Sequence, residues 1–259
     1  MPLLMLDLDN TLIDRDAAFR KAVREFLSAH GLPPDDVTWL MAADASGYTP
    51  RRDLARAMTE RYDGTVPDDA ILTFLDRGAA DHVTLAEPTR DALTKAVAAG
   101  WTCVIVTNGR VAQQELKIRH TGLDALVHGW VISESVGHKK PAPEIFHAAA
   151  ATVGEPLHSS WMIGDSAQAD IRGAAGVDAC GVWVSNGRAP RKHHAGKGLQ
   201  HCRPTRQETV PSAGAAAAPP PHRHSRPNAH RPGPTSRDPR PVEHRRHRRS
   251  RTHSCPSPA

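Results

Sequence analysis

The sequence predicts a doubly wound α/β fold: a parallel five-stranded, Rossmann-like sheet with an all-helical insert and a disordered C-terminal tail. Three observations predict it. From about residue 86 to residue 188, short apolar runs alternate with helical patterns, the rhythm of a parallel sheet covered on both faces. Between Asp14 and Val83 there are helical patterns and no strand signal. After Arg188 the composition changes abruptly. Residues 1–188 hold 18 Lys+Arg against 25 Asp+Glu, a net of −7, whereas residues 189–259 hold 15 against 3, a net of +12. The overall pI near 9.3 therefore describes neither part.

The elements follow in order. Leu3 to Leu8 is a short apolar run ending in carboxylates, which fits a buried parallel strand with chemistry at its C-terminal end. In the first helix Phe19, Val23, Phe26 and Leu27 share a face, and Gly31 stands at the C-terminal cap. A second helix runs from about Asp35 to Ala45. A third starts at Thr49-Pro50, read as an N-cap and a proline at the first helical position, and reaches Tyr62. A fourth spans about Pro67 to Ala80. Then helices (Pro88–Ala99, Val111–His120, Pro143–Val153, Ala167–Ala175) alternate with strands (Trp101–Val106, Trp130–Ser133, Trp161–Gly164, Cys180–Val184). The division is thus residues 1–14 and 86–188 as an α/β core, 15–85 as the helical insert, and 189–259 as the tail.

Several classes are excluded. The N-terminus lacks a basic leader and a small-residue cleavage site, so no signal peptide is expected, and no apolar stretch of ~18 residues spans a membrane. The four cysteines match no metal-ligand spacing and no disulfide framework, and Cys103 and Cys180 read as small buried hydrophobes. A cytoplasmic location is expected.

Polar residues stand at the predicted strand ends: Asp7-Leu8-Asp9, Thr107-Asn108-Gly109 and Gly164-Asp165-Ser166, with Asp170 one turn further on. Ligands of open α/β sheets bind beyond those ends. Carboxylates at i and i+2 of an ideal strand share a face, and their repulsion costs stability unless a cation sits between them. Asp165 adds hard oxygen, a set that suits Mg²⁺. Lys140 offsets the remaining negative charge, and Thr107 and nearby backbone N–H groups can donate to phosphoryl oxygens.

These residues resemble the four ordered motifs of the haloacid dehalogenase (HAD) superfamily. Asp7-Leu8-Asp9-Asn10-Thr11 is similar to the first, Thr107-Asn108-Gly109 to the second, Lys140-Pro141 followed by Pro143-Glu144-Ile145-Phe146 to the third, and Gly164-Asp165-Ser166 with Asp170 to the fourth. The resemblance covers about residues 1–188. It implies a phosphatase-type Mg²⁺-dependent hydrolase of a small phosphate monoester, acting through an aspartyl-phosphate. Asp7 would be the nucleophile and Asp9 the general acid and base. Mg²⁺ would be held by the Asp7 and Asp165 carboxylates and the Asp9 carbonyl oxygen. Thr107 and a backbone N–H near Asn108 would bind phosphoryl oxygens, and Lys140 would steady nucleophile and substrate. Asp170 would orient Lys140 or a metal-bound water, with Thr11, Gly109 and Ser166 in support. The insert would be a cap, hinged near Asp14 and Leu85, that closes over substrate. The pattern departs at Ala142, often Asp in relatives, and Lys139 competes with Lys140, which is favoured because it directly precedes the proline.

Asp9 favours phosphate transfer over dehalogenation, because an alkoxide needs a proton to leave and a halide does not. A phosphomutase shares every named residue. Sugar phosphates, phosphoglycolate and nucleoside monophosphates all fit as the small phosphorylated metabolite, and no membrane partner is expected. Trp39, alone of the tryptophans, is placed to contact substrate, and His138 lies close to the motifs. The tail has three readings: nucleic-acid or acidic-surface binding through Arg245 to Arg251, a passive solvated extension, or out-of-frame translation.

Overall fold

The computed structural model describes residues 1–186, and the basic segment expected to be disordered lies outside them. Five strands form one parallel sheet: β1 (Leu3–Leu6), β2 (Thr102–Thr107), β3 (Gly129–Ile132), β4 (Trp161–Gly164) and β5 (Cys180–Trp183), in the order β3-β2-β1-β4-β5. The strand β1 is central. Its register aligns Leu6 with Ile105 of β2 and Ile163 of β4. The C-terminal ends of three strands therefore come level, and the loops that leave them meet at one edge.

Alternation along the strands feeds two apolar clusters, since successive side chains point to opposite faces. Leu3, Met5, Val104, Val106 and Met162 pack with Ile145, Phe146 and Ala149 of α8 (Pro143–Val153) and Ala174 of α9 (Arg172–Ala175). On the other face Leu6, Cys103 and Ile105 join Leu93 of α5 (Glu87–Ala98) and Ile118 of α6 (Val111–His120). That second cluster extends into the insert, made of α1 (Arg15–Ala29), α2 (Asp36–Asp44), α3 (Arg51–Tyr62) and α4 (Asp68–Arg77). Phe74 of α4 stacks on Phe26 at 4.5 Å and on Phe19 at 5.7 Å, closing α1 against α4.

Four of the differences from the expected elements lie at residues that line or border the cavity described below. β1 stops at Leu6, two residues early. The N-cap of α3 is Pro50, whose extended backbone starts the helix, while the Thr49 hydroxyl donates to the Ala43 carbonyl at 2.6 Å. A short helix, α7 (Ser133–Val136), follows β3 and was not foreseen. The stretch read as one helix from Ala167 begins as a π-turn over Ala167–Ile171 before α9. Cys103 is buried as expected and Cys180 only half-buried. Among the described residues no helix is long and apolar enough to cross a membrane.

Candidate active site

The loop after β1 fixes the first two carboxylates. The Asp7 N–H still donates to the Ile163 carbonyl at 2.9 Å, in the manner of the sheet. The chain then turns: the Leu8 carbonyl accepts from Leu12 and Ile13, and Asn10 adopts φ +58°. Asn tolerates that left-handed conformation better than most residues. The period-2 alternation therefore ends before Asp9, and Asp7 and Asp9 meet different partners.

Asp7 is buried. Its Oδ1 accepts from Lys140 Nζ at 2.6 Å and its Oδ2 from the Thr11 hydroxyl at 3.2 Å. Lys140 Nζ also donates to the Val106 carbonyl at 2.6 Å and pairs with Asp170 Oδ1 at 2.7 Å. Asp170 Oδ2 accepts from the Ser166 N–H at 2.9 Å. Gly164 makes room for this, since a Cβ there would lie 2.2 Å from Asp170 Oδ2. Asp7, Asp165 and Asp170 present carboxylate oxygens within 4.8 Å of one another. Asp7 and Asp170 thus share one ammonium. Burial pushes the Asp7 carboxyl up to about 7, with Asp170 and Asp9 adding and Lys140 opposing. Burial acts to lower Lys140, but the Asp7 and Asp170 charges outweigh it and hold its pKa above the ordinary lysine value. Hard carboxylate oxygens gathered this closely fit a divalent cation.

Asp9 is outside that cluster. Lys117 Nζ, from α6, donates to both its oxygens at 2.8 Å, and Gln114 Nε2 donates to Oδ2 at 3.0 Å. Burial acts to raise the Asp9 carboxyl, but Lys117, Arg15 and Gln114 hold it below the ordinary carboxylate range. The shared face expected for the Asp7 and Asp9 side chains is therefore not formed, and Asp170 takes the third place in the cluster.

The second and third loops are tied together. Asn108 Nδ2 donates to the Lys140 carbonyl at 3.1 Å and the Lys140 N–H returns to Asn108 Oδ1 at 2.8 Å. The Gly109 N–H donates to Ser133 Oγ at 3.0 Å. Thr107 Oγ1 accepts from Gln114 at 2.7 Å, leaving its own proton for another acceptor. The lysine among the carboxylates is Lys140, and Lys139 is exposed.

These groups line a cavity of about 550 Å³. Its opposite wall is the insert, through Arg15 and the turn Ser46 to Arg51. That wall is braced by Asp44, fully buried, which pairs with Arg15 and accepts from Arg51 Nη1 at 2.8 Å and the Gly47 N–H at 2.8 Å. Trp39 does not line the cavity: it packs edge-on to Tyr62 at 6.1 Å beneath the Arg61 guanidinium. His138 is likewise outside the lining, 3.6 Å from Glu144. Sequence reasoning missed Gln114, Lys117 and Arg15. A signal was present in α6, where core-facing positions carry Gln114 and Lys117 instead of aliphatics.

A parallel sheet whose central strand and both neighbours deliver Asp, Thr and Asp loops to one cavity, with a helical insert above it, defines a HAD-type hydrolase fold. A model of the haloacid dehalogenase-like hydrolase family matches residues 1–178, and the chain belongs to that family of hydrolases. It is 26% identical over 196 residues to a glyceraldehyde 3-phosphate phosphatase of Pyrococcus abyssi, covering 71% of this chain and 82% of that one. It is 36% identical over 110 residues to a phosphoserine phosphatase of Thermus thermophilus, covering 42% and 43%. Among solved structures it is similar to the Bacillus subtilis HAD-hydrolase YfnB bound to magnesium (TM-score 0.60, 22% identity, 73% of this chain and 89% of that one). It is also similar to a HAD phosphatase from Thermococcus onnurineus (TM-score 0.53, 20% identity, 74% and 90%).

Proposed function

We propose that this enzyme hydrolyses a small phosphate monoester in a Mg²⁺-dependent reaction, with Asp7 as nucleophile. The observation that carries the reading is the buried Asp7 carboxylate, aimed into the cavity and held by Lys140 and Thr11 beside Asp165 and Asp170. Asp7 and Asp165, with the Asp9 main-chain carbonyl, would hold Mg²⁺, which when bound supplies positive charge against phosphoryl oxygens. Both Asp170 oxygens are engaged, by Lys140 and by the Ser166 N–H, which supports its role in orienting Lys140.

An Asp7 oxygen attacks phosphorus, and the bond to the leaving oxygen breaks with its electron pair on that oxygen. Asp9, ionised while paired with Lys117, takes up a proton as the anionic ester binds beside it and passes it to that oxygen, making an alcohol. Water then attacks the phosphorus of the aspartyl-phosphate, Asp9 takes its proton, and phosphate leaves with Asp7 restored. Thr107 and the backbone near Asn108 orient the phosphoryl oxygens, and Lys140 balances charge at Asp7. Residues 15–85 act as the cap, supplying the wall at Arg15 and Ser46 to Arg51 that excludes water when closed. Asp9 argues against dehalogenation, since halide needs no proton. The polar cap wall suits small hydroxylated or anionic leaving groups, and relatives named for glyceraldehyde 3-phosphate and phosphoserine point to the same class of substrate.

Phosphate release from a panel of sugar phosphates, phosphoglycolate and nucleoside monophosphates, with Mg²⁺ and with EDTA, tests the reading. Release is expected for at least one ester with Mg²⁺ and not with EDTA; turnover without metal would contradict it. A mutase would rearrange its ester without releasing phosphate.

A further inference from the structure

We propose that Lys117, together with Gln114, is a positioning residue that fixes where the Asp9 carboxyl group meets the leaving oxygen. The inference rests on Asp9 being the general acid and extends it to two residues that no strand-end motif contains.

The helix α6 is turned in an unexpected way. Lys117 is 2% exposed while its neighbour Leu116 is 42% exposed. Burying an unpaired ammonium costs several kcal/mol, so a buried lysine needs an anion. That anion is Asp9, with both oxygens 2.8 Å from Nζ. Gln114, less than a turn earlier and also buried, divides one amide group between Asp9 Oδ2 at 3.0 Å and Thr107 Oγ1 at 2.7 Å. One side chain thus sets the spacing between the proton donor and a hydroxyl that lines the phosphate side of the cavity. The same helix is anchored to the insert at its start. Arg110 Nη1 donates to Asp76 Oδ1 at 2.7 Å and Gln113 Nε2 to the Asp76 carbonyl at 3.0 Å. The position of the insert and the position of Asp9 are therefore carried by one rigid element.

The step that depends on this is the first. As the bond from phosphorus to the leaving oxygen breaks, its electron pair stays on that oxygen, and the proton that Asp9, ionised in the free enzyme, takes up with the anionic ester must reach it. A donor misplaced by an ångström forfeits about 10²-fold. Leaving groups that depart as stable anions depend on the proton least.

The test is kcat/KM for a series of substituted phenyl phosphates, from phenyl phosphate to p-nitrophenyl phosphate, in full-length enzyme with Mg²⁺. Lys117→Met is expected to lower the phenyl phosphate value roughly 10- to 100-fold and the p-nitrophenyl phosphate value much less, so that rate depends more steeply on leaving-group basicity. Gln114→Leu, which keeps the Asp9–Lys117 pair, should steepen the series by a smaller factor. Lys117→Arg should restore most of the wild-type slope. An equal fall across the series in both Lys117→Met and Gln114→Leu would overturn the proposal, since that is what loosened packing alone produces. Should Lys117→Met not fold, Gln114→Leu decides. Asp9→Asn separates the two layers. If it leaves the slope unchanged, the general-acid reading fails; if it steepens the slope while Lys117→Met and Gln114→Leu do not, only the positioning role fails.

Discussion

Two aspartate–lysine pairs stand two residues apart in the chain and in opposite electrostatic states. Asp7 shares Lys140 with Asp170 and faces Asp165, so burial and like charge push its carboxyl up to about 7. Asp9 has Lys117 to itself, with Gln114 and the Arg15 charge beside it, and its carboxyl is held below the ordinary range despite burial. The difference teaches that the loop separates two tasks. The Asp7 side gathers three carboxylates and is suited to receive a cation. The Asp9 side is neutralised by protein alone.

The largest expected effect sharpens this contrast at the Asp9 side. Asp9→Asn should lower kcat for esters with basic leaving groups by about 10²–10⁴-fold, with p-nitrophenyl phosphate affected least, as read by steady-state phosphate release. At the Asp7 side, Lys140→Met should lower kcat by about 10²–10³-fold on all esters alike. If that variant discriminated among leaving groups, the two pairs would not be separate.

Stability measurements come next. Asp44→Ala leaves the buried Arg15 with only the partly exposed Asp16 carboxylate, 3.0 Å from Nη1, as its partner. It should cost about 3–5 kcal/mol in denaturant unfolding and disturb the cap wall without touching either pair. Adding Mg²⁺ should stabilise wild type and Asp9→Asn by about 3 kcal/mol at a hundredfold excess over Kd, read as a rise in Tm, but not Asp165→Asn. An Asp9→Asn protein that loses the shift would place the Asp9 side chain in the metal site.

The smallest effects are in pH. A raised folded-state pKa at Asp7 means the folded protein binds the extra proton. In metal-free protein its contribution is present at low pH and lost as pH rises from about 4 to about 7. Asp9 has the opposite sign: its contribution is full above about 4 and is lost as pH falls through its depressed folded value. Thermal unfolding of Asp7→Asn against wild type without Mg²⁺ should therefore differ most in slope between pH 4 and 7, and that of Asp9→Asn below pH 4.

Much of this was legible in the sequence because it is local. Strand ends, helix stops at Gly31 and Gly154, and the loop residues Asp7, Thr107, Lys140 and Asp165 each follow from an apolar run and the polar group that ends it. Three things were not. Strand alternation was carried through Asp9, but Asn10 at φ +58° turns the chain first, so the two carboxylates do not share a face. Gln114 and Lys117 lie at helical spacing in a pattern that also contains Val111, Leu116 and Ile118. Which face turns inward depends on the carboxylate it meets, more than 100 residues away. The brace of Arg15, Asp44 and Arg51 joins three insert elements, and no local pattern pairs them.

The central claim is that Asp7 is the group that attacks phosphorus. Its most direct test is phosphate release by Asp7→Asn with Mg²⁺, on p-nitrophenyl phosphate, which needs little help from Asp9. The account predicts a loss of more than about 10³-fold in a variant that remains folded by thermal unfolding. Turnover within tenfold of wild type would contradict it.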